Sequence, residues 1–138
     1  MANNISDFLA VALLNHCFRN TPYSQPAIVY VGLVDNVGSD AEMKAGTLTH
    51  EITTYTGNRP AVTFGAPAPV GNTQTIKNTG AVDFLVMPAV TVKYAIVMDS
   101  ATKGAGNILY WCPLTTPKTC NAGDTFELPI NNLVLDLD

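Results

Sequence analysis

The chain has 138 residues, of which 47% are hydrophobic and only 13% are charged, and its formal net charge is −4. This length suits one domain with its own hydrophobic core. A net negative chain whose few Lys and Arg residues are spread thinly is not expected to bind nucleic acid, because phosphate binding needs a basic surface. No apolar run approaches the roughly 18 residues of a membrane span, so we expect no membrane contact either.

The N-terminal segment predicts one helix, over about residues 5–18. Asn4 is a suitable N-cap, and Asp7 stands three residues on, in the place of a capping-box acid. The apolar residues that recur at helical spacing are Ile5, Phe8, Leu9, Val11, Ala12, Leu13, Leu14 and Phe18. Their arc is wider than a single stripe. We therefore predict an amphipathic helix buried on more than one side, with the sheet and a neighbouring subunit as its candidate partners.

Nine short apolar or alternating runs follow the helix, with turn residues between them, and together they predict a fold of about eight strands. The runs are 27–34, 50–55, 60–64, 73–77, 82–87, 90–98, 108–112, 125–128 and 133–137. Strands at this spacing are typical of an antiparallel β-sandwich or jelly-roll-like fold rather than of alternating βαβ units. We therefore predict a mainly β fold with the whole chain, residues 1–138, as its single domain.

The C-terminal third, residues 107–138, is predicted to organise this fold as strand, turn, strand, turn, strand. Its last run alternates, with three leucines on one face, which is typical of a half-buried strand. Residues 114–120 are predicted to be a Thr/Pro connector. Prolines also interrupt residues 65–72, so we predict an extended connector there and exclude a central strand.

Residues 35–49 are polar and exceed the usual loop length, with one short helical turn predicted at 40–44. Long loops in compact domains tend to be interaction elements. Asp35, Asp40 and Glu42 lie in this segment, but they lack the order of ligands in an EF-hand. We therefore expect a solvated loop and no metal site.

Residue patterns that carry catalysis are not found in the sequence. The two histidines, His16 and His50, have no second ligand at metal spacing, and no serine stands in a nucleophile elbow. We expect no enzymatic activity and no cofactor. The three cysteines are interpreted as reduced, buried thiols, with a bridge between Cys112 and Cys120 as the alternative.

Three segments resemble a family of small tailed-bacteriophage virion proteins, whose members are usually labelled tail fibre or minor capsid proteins. They are ANNISDFLAVALLNHCFRNTPYSQPAIVYVGLV (2–34), RPAVTFGAP (59–67) and GNILYWCPLTTPKTCNAGDTFELPINNLVLDLD (106–138). Residues 35–56 and 71–90 do not share the resemblance. The resemblance implies a structural component of a phage particle, made in the host cytoplasm.

Two roles in the particle are compatible with this resemblance. We favour a capsid cement or decoration protein that bridges capsomers on the outer head surface, since the chain shows no repeats and no shaft. The alternative is a tail-tip or tail-fibre-associated module that contacts the host surface. A third hypothesis, a sugar-binding sandwich, would require Tyr55, Tyr110 or Trp111 to form an exposed stacking platform.

The expected partners are the major capsid protein and further copies of the chain, as a dimer or trimer at a symmetry axis. Three regions are the candidate contacts: the N-terminal residues, the polar loop and the proline-containing connector. The candidate residues are Ala2, Asn3, Asn4, Asp35, Asn36, Asp40, Glu42, Lys44, Pro67 and Pro69.

Overall fold

A computed structural model describes residues 4–138 and confirms a mainly β protein built from antiparallel strands. Its two helices are α1 (Asp7–Phe18) and α2 (Asp40–Ala45). The strands are β1 (Val29–Asp35), β2 (Ala61–Val62), β3 (Ala68–Val70), β4 (Thr73–Lys77), β5 (Val82–Phe84), β6 (Val90–Met98), β7 (Ile108–Cys120), β8 (Phe126–Leu128) and β9 (Val134–Leu137).

The largest sheet has four strands in the order β2-β1-β6-β7. The apolar run predicted as a strand at 27–34 forms β1, a central strand that β2 and β6 flank. The outer edge of β7 is covered at its start by the residues before α1. Ser6 N–H donates to the Leu109 carbonyl at 3.1 Å, and Trp111 N–H donates to the Asn4 carbonyl at 3.0 Å.

Two smaller sheets, β3-β4-β9 and β5-β8, face the large sheet across the main hydrophobic core. The large sheet contributes Val31, Leu33, Ala95 and Val97, among others. The smaller sheets contribute Val82, Phe84, Phe126, Leu128 and Leu135. This arrangement is a sandwich, in which each strand turns alternate side chains inward.

The other face of the large sheet is covered by α2 and its loop. Met43 of α2 is buried and packs in a second apolar cluster with side chains of β1, β6 and β7. Tyr94 and Trp111 meet there edge to face, with ring centroids 5.9 Å apart. Because both faces of the sheet are covered, β1 and β6 are apolar at nearly every position.

A buried ion pair joins the loops that flank the large sheet. Arg59 Nε lies 2.6 Å from Glu51 Oε1, and both side chains are fully buried. The remaining polar atoms of the pair are also used, because Arg59 donates to the carbonyls of Ser100 and Ala105, and Gly104 N–H donates to Glu51. The pair therefore fixes the turn between β6 and β7 against the segment that follows α2.

The structure corrects two predictions about the helix. The N-cap is Ser6, whose hydroxyl accepts from Leu9 N–H, and α1 starts at Asp7, because Asn4 pairs with β7 instead. Residues 7–18 are all described, and none of them is buried. Apolar side chains lie on every side of α1, so it lacks the polar face of an amphipathic helix.

The strand predictions also need correction. Residues 50–55 form only a single bridge, Glu51 to Val34, and the predicted connector 114–120 belongs to β7. The connector at 65–72 contains the edge strand β3, which is compatible with Pro69 because edge positions tolerate proline. The strands of the C-terminal third lie in three different sheets, so this segment is not one folding unit by itself.

Candidate functional site

The predicted contact residues at the N-terminus give no exposed patch. Ala2 and Asn3 lie outside the described residues. Asn4 is partly buried, and its carbonyl accepts from Trp111 N–H as part of the sheet. Asn4 therefore belongs to the edge of the sheet and not to an exposed contact surface.

The polar loop of residues 35–49 uses most of its predicted contact side chains internally. Asp35 accepts from Val37 N–H at 2.8 Å, and Asp40 accepts from the Tyr94 hydroxyl. Glu42 completes a capping box with Ser39 at the start of α2. Of the five predicted loop residues, Asn36 and Lys44 are the exposed ones without a role in the loop's own structure.

Lys44 instead connects the two helices, since its ammonium pairs with the carboxylate of Asp7 at the start of α1. Both side chains are more than half exposed, so the pair contributes at most about 1 kcal/mol. The pair nevertheless neutralises Asp7, the only charged residue of α1 apart from His16 when protonated.

His50 lies between two of the loop carboxylates. Its Nδ1 is 3.8 Å from Asp35 Oδ1, and its Nε2 is 3.6 Å from Glu42 Oε1. These distances exceed hydrogen-bond and metal-ligand lengths. Across residues 4–138, no group of three or more His, Cys, Asp or Glu side chains is arranged to hold a metal ion.

The predicted contacts in the connector, Pro67 and Pro69, are both exposed. Pro67 lines an apolar groove of about 380 Å³ between α1 and the open end of the sandwich. Leu9 and Leu13 of α1 form one wall, and Val29, Phe64, Val97, Leu135 and Leu137 are among the residues that complete it. The inner side of α1 therefore lies against this groove, and part of the groove remains open.

The side of α1 that points away from the groove is exposed and apolar. Val11 and Leu14 are each 58% exposed, Phe18 is 81% exposed and Phe8 is 41% exposed. We call these four residues the α1 outer face. The wide apolar arc of residues 5–18 indicated in the sequence that this helix has an apolar outer side. The sequence analysis predicted that this side is buried, whereas the structure exposes it.

A second exposed apolar surface was missed in the sequence. Leu85 and Val86 follow β5 and are 52% and 56% exposed. Their loop is held to residues 121–124, because Met87 N–H donates to the Asp124 carbonyl at 2.7 Å. We call residues 85–86 and 121–124 the loop tip.

Val86 of the loop tip has a φ of 53°, which is unusual for a β-branched residue. Such strain is retained only where the surrounding structure enforces it, and it is found most often at functional positions. No sequence signal could have identified it, since the apolar run of residues 82–87 favours a strand and was predicted as one.

The side chains proposed for sugar stacking do not form a platform. Tyr55, Tyr110 and Trp111 are all buried in the two apolar clusters. The cysteines are free, as interpreted from the sequence, but the prediction that all three are buried is wrong, because Cys17 is exposed on α1 and Cys112 is only partly buried. Cys112 and Cys120 cannot pair, because their partners on β6, Ala95 and Val90, lie five residues apart, roughly 17 Å at strand spacing.

Residues 4–136 match the family model described as Podophage GP4 fiber I protein gp80. The chain belongs to this family. The match extends from the segment before α1 into β9, and it includes residues 35–56 and 71–90, where no resemblance was seen. It confirms the resemblance to phage virion structural proteins. No curated protein matches the sequence.

The family places this chain among the components of a phage particle. In the part of the chain that the structure describes, no helix has the length and apolar character needed to cross a membrane.

Proposed function

We propose that the protein is a fibre subunit of a podophage tail and that it works by binding, without catalysis or a cofactor. The observation that carries this proposal is the match of residues 4–136 to a family described as a fibre protein. The family description favours the tail, whereas the residues alone favoured a cement role on the capsid.

Two exposed apolar surfaces support a binding role. The α1 outer face and the loop tip each expose large apolar side chains on a protein of low charge content. Contiguous apolar patches on a soluble protein mark interaction sites more often than chance exposure does. The predicted loop residues are weaker candidates, because Asp35, Asp40 and Glu42 already hold the loop together.

A cement role on the capsid stays as the second candidate. Residues 4–138 form a compact sandwich and contain no extended shaft, which suits a protein that bridges neighbouring capsomers. In that case the partners would be the major capsid protein and further copies of the chain at a symmetry axis.

The two candidates are distinguished by locating the protein on purified virions. A tag added after Asp138 would be labelled with gold and imaged. Label confined to the tail, at a few copies per particle, is expected. Label over the whole head would overturn the fibre proposal in favour of cement, and absence from purified particles would contradict both.

The role of the loop tip is tested with the double variant Leu85→Ser and Val86→Asn. Asn tolerates a positive φ, so the loop should keep its shape while losing its apolar side chains. We expect normal folding and a loss of adsorption to host cells or of incorporation into particles. Val70→Ser, at a similarly exposed position on β3, is the matched control. If both variants behave like the unmodified protein, the loop tip is not a contact.

A further inference from the structure

We propose that the α1 outer face binds the same face of a second copy, so that two α1 helices pack antiparallel about a two-fold axis. This inference is independent of where the protein lies in the particle. It rests on the burial, spacing and charge of α1.

Burial is the first argument. A helix that is apolar on all sides is normally buried on all sides. The inner side of α1 meets the groove through Leu9 and Leu13, whereas Val11, Leu14 and Phe18 remain more than half exposed. Phe8 packs edge to face on Tyr23, with ring centroids 6.4 Å apart, so within the described chain Val11, Leu14 and Phe18 are the residues that lack the contact their composition requires.

Spacing is the second argument. Asp7, Val11, Leu14 and Phe18 follow one another at intervals of four, three and four residues. This is the spacing of the seam in a helical coiled coil, where side chains of one helix insert between those of another. The seam is straight along α1 and includes Phe18, which at 81% is the most exposed large apolar side chain of the helix.

The third argument is charge, which favours α1 of a second copy as the partner and an antiparallel orientation of the two helices. With His16 neutral, the only charged side chain from residue 8 to residue 34 is Arg19, so a strongly charged partner would gain no ion pairs along the seam. A parallel pair would bring the two Asp7–Lys44 ion pairs together at one end. An antiparallel pair places each ion pair at the Phe18 end of the other copy, and it opposes the two helix dipoles favourably.

The exposed area sets the expected strength. Since one fully buried aromatic side chain removes roughly 150–250 Å² from water, the four residues of the outer face offer on the order of 400 Å² per copy. A pair would bury about 800 Å², below the roughly 1,200 Å² of stable specific interfaces. We therefore expect a reversible dimer with a dissociation constant in the micromolar range or weaker.

Sedimentation velocity from low micromolar to millimolar protein tests this inference. The unmodified protein should shift from monomer to dimer as concentration rises, and Leu14→Asp should remain monomeric throughout. Val70→Asp is the matched control, because Val70 is also 58% exposed but lies on β3, and it should dimerise normally. Circular dichroism and thermal midpoints would show that both variants are folded.

Disulfide trapping tests the direction of the helices. In the background Cys17→Ser, the variants Val11→Cys and Leu14→Cys are oxidised singly and as a mixture. The antiparallel seam places residue 11 opposite residue 14, so the mixed disulfide should exceed either homodisulfide. A monomer at all concentrations, equal loss of dimer in both Asp variants, or preferential homodisulfides would each overturn the proposal.

Discussion

Arg59 and Glu51 show how single side chains hold the loops of this sandwich together. The two side chains are fully buried, and the hydrogen bonds from Arg59 and to Glu51 reach the turn between β6 and β7. A buried pair of this kind is not strongly stabilising relative to an apolar replacement, but a buried charge that loses its partner is costly.

We therefore expect Arg59→Met to reduce the free energy of unfolding by about 3–5 kcal/mol, because it leaves the Glu51 carboxylate buried without its partner. Urea denaturation would measure the change. Arg19→Met is the control, since Arg19 is exposed and such substitutions usually change stability by less than about 0.5 kcal/mol. The double variant Arg59→Met with Glu51→Met should be more stable than Arg59→Met alone; if it is less stable, the buried charge is not the cause.

The three cysteines differ in exposure, which predicts one reactive thiol. Cys17 is exposed on α1, whereas Cys120 is buried. Cys112 is partly buried, and burial together with the nearby Asp136 raises its pKa to about 12. At pH 8 only about one Cys112 side chain in ten thousand is then a thiolate, the form that reacts.

A thiol titration with a disulfide reagent at pH 8 should therefore show one fast equivalent per native chain and three in denaturant. Cys17→Ser should remove the fast phase. Two fast equivalents in the native protein would show that the β7–β9 contact around Cys112 opens readily.

Among the elements, α2 has a larger structural role than its six residues suggest. It places Met43 over the second apolar cluster and is held by its capping box. Ser39→Ala removes the side chain that accepts from Glu42 N–H, and we expect a loss of about 1 kcal/mol in the free energy of unfolding.

Thermal and urea denaturation would measure the effect of Ser39→Ala. Ser24→Ala, in the exposed connector between α1 and β1, is the control and should be neutral. Equal stability of the two variants would mean that α2 is held by Met43 alone.

Local sequence patterns predicted the elements that depend mainly on their own residues. The nearly continuous apolar runs at 27–34 and 90–98 predicted the strands that form β1 and β6. The helix was also predicted to within two residues of its start. Its cap was not, because the choice between Asn4 and Ser6 depends on the pairing of Asn4 with β7, which is remote in sequence.

The predictions failed where distant contacts decide the structure. Prolines at 113 and 117 suggested that the strand ends there, yet β7 continues, because it is an edge strand and edge strands tolerate proline. Residues 114–117 bulge out of the sheet where the pairing with β6 passes from Tyr94–Pro113 to Val92–Lys118. The acidic loop was chosen as a contact for its polarity, but its carboxylates have partners in α2, β6 and the adjacent turn. The exposed loop tip depends on a backbone conformation that no residue type signalled.

At the scale of the whole molecule, three weak acids connect stability to pH. Tyr55 lies in the main core, Tyr94 in the second cluster and Cys112 beside β9. Burial raises the pKa of both tyrosines, and the hydrogen bond from Tyr94 to Asp40 and the charge of Glu51 near Tyr55 add to the rise. All three groups are therefore held in their protonated forms by the fold.

The direction of the pH effect on stability follows from which state, folded or unfolded, loses its protons at the lower pH. In the unfolded chain these groups ionise near pH 9–10, while in the folded chain they stay protonated to higher pH. Above that range the unfolded state binds fewer protons, so the free energy of unfolding must fall as pH rises. Each group can contribute a loss of up to about 1.4 kcal/mol per pH unit until its folded-state pKa is reached.

We therefore expect a thermal midpoint that is nearly constant from pH 7 to pH 9 and falls steeply from pH 10 to pH 11. Tyr94→Phe should lower the free energy of unfolding at pH 7, because Asp40 loses its hydrogen bond. It should also reduce the slope of the alkaline fall by the equivalent of about one proton, because one of the three acids is gone. A structural defect alone would lower the whole curve without changing its slope. An unmodified protein whose stability is unchanged at pH 11 would contradict the burial of these groups in both apolar clusters.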